Sequence, residues 1–83
     1  MKTQSLKTVY VGEVDSYTLE YILSRSTLPK KEAKEIYLKV ACGDLQEAKI
    51  PIKGGEVILY NINNNVNPYV QVRILVSLKD TND

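Results

Sequence analysis

The chain has 83 residues, enough for one hydrophobic core and few enough that pairing with a second copy is a natural way to bury more apolar surface. Eleven Lys and Arg against ten Asp and Glu leave a formal charge of +1, so any nucleic acid, anionic membrane or acidic substrate has to be met by a local patch. The absence of histidine and the single cysteine exclude Ser-His and Cys-His nucleophilic pairs, histidine metal sites, thiolate zinc sites and an intrachain disulfide.

In chain order, residues 1–5 are polar, and in residues 6–12 Val9 and Val11 alternate with Thr8 and Tyr10, which predicts a first strand. Gly12-Glu13-Val14-Asp15-Ser16 is turn chemistry, with Asp15 or Ser16 able to accept from the free amides of a following helix. Leu19, Ile22 and Leu23, with Ser26 a turn later, form a stripe that faces a sheet, flanked by Tyr17 and Tyr21. Pro29 disfavours a helical Leu28 and ends this element near Thr27, and residues 30–34 read as a charged connection.

Residues 35–43, EIYLKVACG, carry two periods. Ile36, Leu38, Val40 and Cys42 alternate with Tyr37, Lys39 and Ala41 as in a central strand. Ala33, Ile36, Tyr37, Val40 and Ala41 also repeat at helical spacing between Pro29 and Gly43. The β-branched and aromatic residues tip the balance slightly to the strand, while the Lys-Lys-Glu-Ala-Lys-Glu run favours helix. If 35–42 is helical, residues 29–42 become the recognition helix of a winged-helix fold.

Residues 44–49 suit a short helix capped by Asp44 and stopped by Pro51, and residues 53–56 a turn. In residues 57–62, Val57, Leu59 and Asn61 share one face of a strand and Ile58, Tyr60 and Ile62 the other. The loop 63–68 is rich in asparagine, and Val70, Val72, Ile74, Val76 and Leu78 then mark a long amphipathic strand that pairs with 57–62 as an antiparallel hairpin.

Catalytic signals are missing. Glu13 and Asp15 lie where capping accounts for at least one of them, Glu32 and Glu35 stand among lysines, and Gly54-Gly55 lacks the ending of a phosphate loop. Cys42 reads as a buried structural thiol. No apolar run reaches the roughly 18 residues of a membrane span, and MKTQSLK lacks the hydrophobic stretch of a signal peptide. The expectation is a cytoplasmic protein that is not an enzyme, with no cofactor, metal or membrane partner.

From Tyr21 to Lys39 the sequence YILSRSTLPKKEAKEIYLK resembles the first helix and second strand of the Alba family, small archaeal chromatin proteins that bind DNA and RNA as dimers. Val9-Tyr10-Val11-Gly12 resembles the family's first strand and its closing glycine, Gly43 the end of the second strand, and residues 69–79 the last strand. The resemblance implies an α+β, two-layer β-α-β-α-β-β domain over residues 1–83. It would have a four-stranded mixed sheet, one full helix and one short one. It places residues 35–42 in a strand.

The resemblance also implies weak, largely sequence-independent binding of DNA or RNA by a homodimer or a heterodimer with a related protein. The candidate phosphate contacts are Lys30, Lys31 and Lys34, or Lys49 and Lys53 with Arg73, and the candidate hydrogen-bonding groups are Asn63, Asn64 and Asn65. Six lysines against four acids between Pro29 and Gly55 give that segment its +2 balance. The family places lysines in the turn after its first strand, where this chain has Glu13 and Asp15, so those carboxylates are expected to repel phosphates. The alternative is a protein-interaction or dimerisation module on the same scaffold that has lost direct nucleic-acid contact.

Overall fold

The computed structural model describes residues 6–62 and 69–77. Strand β1 (Leu6–Glu13) leads into two successive helices, α1 (Ser16–Arg25) and α2 (Lys30–Cys42), and three strands follow: β2 (Glu47–Ile52), β3 (Gly55–Ile62) and β4 (Tyr69–Ser77). The strands form one sheet in the order β1-β4-β3-β2, every neighbouring pair antiparallel. The α+β class with four strands therefore holds, whereas the mixed sheet does not.

Register decides which side chains meet the helices. Val57 pairs with Ile74, Leu59 with Val72 and Asn61 with Val70, while Ile50 pairs with Val57 and Ala48 with Leu59. With a side-chain period of two, these residues share one face. Ile22 of α1 and Ala33 and Val40 of α2 are wholly buried in one cluster with Ile50, Val57, Leu59 and Val72, with Leu23, Leu28, Ile36 and Tyr37 packed around it. The expected first helix matches α1, with Asp15 at its N-cap and Ile22 and Leu23 at the core.

Residues 35–42 are helix, which corrects the strand expected there. Of the two superposed periods, burial follows the helical one: Ala33, Ile36, Tyr37 and Val40 face the core, while Leu38 and Cys42 are exposed, and of the helical set only Ala41 lies outside. Cys42 is accordingly not the buried thiol its strand position suggested. Gly43 closes the helix at φ +91, a conformation that costs an L side chain about 1 kcal/mol or more. The carbonyl of Lys39 then accepts from the amides of Asp44 (2.9 Å) and Leu45 (3.1 Å), so the chain turns away at once.

That turn removes the short helix expected at 44–49; Glu47–Ile52 is a strand, with Ala48, Ile50 and Ile52 pointing inward at period two. Helix-forming Gln46-Glu47-Ala48-Lys49 masked the alternation, and pairing with β3 overrides the local propensity. Pro51 is accommodated because β2 is an edge strand, where a missing N–H breaks no ladder. Gly55 is required by packing, since a Cβ there would collide with the backbone carbonyl of Leu75.

Asn61 occupies a core-facing position, and its Nδ2 donates to the carbonyl of Val40 at 2.8 Å, tying β3 to the last turn of α2. Truncating the centre of the core should be costly: Leu59→Ala is expected to lose about 3 kcal/mol of unfolding free energy. The half-exposed Val11→Ala should stay within about 0.5 kcal/mol. Urea titration followed by far-UV circular dichroism compares the two.

Candidate nucleic-acid interface

The four residues between the helices, 26–29, are fixed against the sheet by main-chain bonds. Ser26 bridges Ile52, the Thr27 amide donates to the Pro51 carbonyl at 3.0 Å, and the Lys53 amide donates to the Arg25 carbonyl at 3.1 Å. Ser26 Oγ accepts from the Leu28 amide at 2.9 Å, which holds the bend while Leu28 packs on the core. The end of α1, the start of α2 and the β2–β3 turn thus form one end of the molecule.

That end is basic. Lys30, Lys31 and Lys34 are exposed on the first turns of α2, and Arg25 and Lys53 are exposed on the two segments bonded to each other beside it. The Arg25 guanidinium lies 5.2 Å from the Tyr21 ring centroid, which orients it without neutralising it. Pro29 stands at the α2 N-cap and supplies no side-chain cap, so the first-turn amides remain open to an anion, with Glu32 the acid nearest them. Further along, Glu35, Leu38 and Lys39 continue the exposed side of α2, and a shallow groove runs along it past Pro29, Lys31, Glu32, Glu35, Ile36 and Lys39.

Of the second expected set, the fold brings Lys49 and Arg73 together and sets Lys53 apart from them. Lys49 and Arg73 both pair with Ile58 and stand on the sheet face turned away from the helices, with Val11 beyond Arg73 in the same row. Tyr60 and Gln71 form the next row, between Glu47 and Glu13, with Ile62 and Tyr69 beyond. Asn63, Asn64 and Asn65 lie outside the described residues. Arg25 and Lys39 are additions that the sequence reading missed, because a strand at 35–42 hides the helical face that groups Lys39 with Lys31 and Glu35.

Glu13 and Asp15 sit at the opposite end of α1, a helix of about 15 Å, beside the start of β4, where the Val14 amide donates to the Val70 carbonyl at 2.9 Å. Asp15 is a structural cap: Oδ1 accepts from the Thr18 amide and from Thr18 Oγ1, both at 2.8 Å. The expected repulsion of phosphates by this turn therefore does not bear on the basic end. The bond from the Thr18 amide, followed by that from its hydroxyl, lowers the Asp15 pKa below its ordinary value of 3.8.

Among the described residues no cluster of three or more acidic or cysteine side chains could hold a metal, and no helix is long and apolar enough to cross a membrane. No protein-family model matches the sequence, and neither a curated protein nor a solved structure is significantly similar to it.

A carboxylate whose folded pKa is lowered adds stability above its unfolded pKa and loses that contribution as pH falls through the folded value. The thermal midpoint of Asp15→Ala should accordingly lie a few degrees below that of the parent chain at neutral pH. The gap should narrow on acidification below 3.8. Thermal melts of both proteins across that range measure it.

Proposed function

We propose that this chain binds double-stranded DNA, with α2 as the helix that enters the major groove and Lys30, Lys31 and Lys34 as its principal phosphate contacts. Arg25 and Lys53 flank them on the same end. The observation that carries this reading is the helix pair itself. A short helix, a four-residue bend bonded to the sheet and a second helix with one sealed face leave a lysine-bearing face projecting outward.

The arrangement around the pair supports the same reading. A strand before the two helices pairs with the last strand of the hairpin that follows them, as in a winged-helix fold, with β2 an added edge strand. The Alba resemblance lends this surface no support, because the residues that resemble that family's second strand are α2 here. An A-form RNA duplex has a major groove too narrow for a helix, so DNA is the preferred duplex. The mixture of four lysines with Glu32 and Glu35 on α2 limits the attraction, and we expect micromolar, largely sequence-independent binding.

A second reading, a protein-interaction module without DNA contact, is favoured by the apolar side chains exposed on β1 and α1. Fluorescence anisotropy with a duplex of about 20 base pairs separates the two. Four neutralised phosphates predict roughly a 100-fold loss of affinity between 50 and 200 mM salt. Replacing Lys30, Lys31 and Lys34 together by alanine should weaken binding at least about tenfold and flatten the log–log salt slope by 2 to 3. Lys49→Ala with Arg73→Ala, and Glu13→Lys alone, should change little. A triple variant that binds like the parent would remove α2 from the contact, and loss of binding in the Lys49/Arg73 variant would move it to the open sheet face.

A further inference from the structure

Six of the eight large apolar side chains exposed among the described residues lie on β1 and α1: Leu6, Val9, Tyr10, Val11, Tyr17 and Tyr21. Their concentration has a structural cause. Helix α2 packs across β2, β3 and β4, so the sheet is covered at that side, while β1 is an edge strand exposed along nearly its whole length. Between β1 and α1 an apolar groove of about 300 Å³ is lined by Val9, Tyr10, Thr18, Tyr21 and Ile74. Tyr17, one turn before Tyr21, stands beside it 85% exposed, far beyond what a tyrosine needs to keep its hydroxyl wet.

We propose that this groove and the outer face of α1 are the seat of a second copy of the same chain, packed about a two-fold axis with the two α1 helices antiparallel. Three features of the surface favour a second copy over another occupant. The α1 surface is self-complementary in charge: Asp15 caps its first turn and Glu20 lies mid-helix, while Arg25 ends it, so antiparallel copies set each Arg25 toward the other's acidic end. Each copy also carries both a groove and an exposed aromatic side chain, Tyr17, of the size and chemistry to enter it. The lysine-bearing face of α2, by contrast, would repel its own copy.

The area sets the strength. At exposures of 53% for Val9, 44% for Tyr10, 85% for Tyr17 and 37% for Tyr21, these four side chains offer on the order of 500 Å² per copy, against about 800 Å² per partner in a standard stable interface. The association is therefore weak and concentration-dependent. Edge-to-edge pairing of β1 is not the contact, because the bulge between Thr8 and Tyr10 breaks the regular register that strand addition needs.

The proposal does not rest on DNA binding, and its test contains no nucleic acid. Sedimentation velocity from 10 to 500 μM protein should show a monomer–dimer equilibrium with a dissociation constant of tens to hundreds of micromolar. Tyr17→Glu and Val9→Glu should each leave the chain monomeric over that range with an unchanged far-UV spectrum, whereas Leu38→Glu on α2 should dimerise like the parent. In a Cys42→Ser background, Tyr21→Cys, close to the inferred axis, should form an interchain disulfide on oxidation and Leu38→Cys should not. A parent chain that is monomeric at 500 μM, or a Tyr17→Glu variant that dimerises as the parent does, overturns the proposal.

Discussion

The seam between α2 and the sheet is the contact on which the rest of the molecule depends. Ala33 and Val40, two helical turns apart and wholly buried, meet Ile50, Val57, Leu59 and Val72 in one cluster, and Ile22 brings α1 into it. Without that seam the four strands have one uncovered apolar face, and β2, an edge strand with a single sheet neighbour, has little reason to pair. The Asn61 side chain closes the seam at its far end by donating to the Val40 carbonyl, which also accepts from the Gly43 amide that ends the helix. A polar residue at a core-facing position is tolerated there because its amide has a partner.

Sealing one face of α2 determines what the other presents. The residues left outside are four lysines, two glutamates, Leu38, Ala41 and Cys42, and the bend at 26–29 brings Arg25 and Lys53 to the basic start of the helix. The net charge of +1 thus conceals an uneven distribution, with Arg25, Lys30, Lys31, Lys34 and Lys53 at one end and Glu13 and Asp15 held at the other. The same packing leaves β1 uncovered, so the apolar exposure at that edge and the basic exposure of α2 have a common origin.

How far these features were legible in the sequence depended on whether local and tertiary signals agreed. β1, α1 with its Asp15 cap, and the β3–β4 hairpin with its inward Val57, Leu59, Val70, Val72 and Ile74 were all readable, because period, capping and turn residues pointed the same way. Residues 35–42 carried strand and helix periods at once. What decides between them is the burial of Ala33, before the supposed strand, and the exposure of Leu38 and Cys42. At 44–49 local signals pointed to a helix, a cap at Asp44 and helix-forming Gln46-Glu47-Ala48-Lys49, and they concealed the inward Ala48, Ile50 and Ile52. Of the candidate contacts, Lys30, Lys31, Lys34 and Lys53 fall at one end, but spacing in the chain gave no sign that Lys49 and Arg73 would face the other way.

The start of α2 is where local preference and the fold are least reconciled. Pro29 offers no side chain to the first-turn amides, and Lys30 and Lys34, four residues apart, place like charges on neighbouring positions beside the positive end of the helix dipole. Each of these choices costs a helix a few tenths of a kcal/mol or more in isolation. A carboxylate at Lys30 would relieve both the dipole and the charge pair, and none of the buried contacts of α2 would be disturbed by it. A phosphate bound against the open amides and between the two ammonium groups would offset all three costs together, which is the physical ground for the DNA contact proposed at this turn.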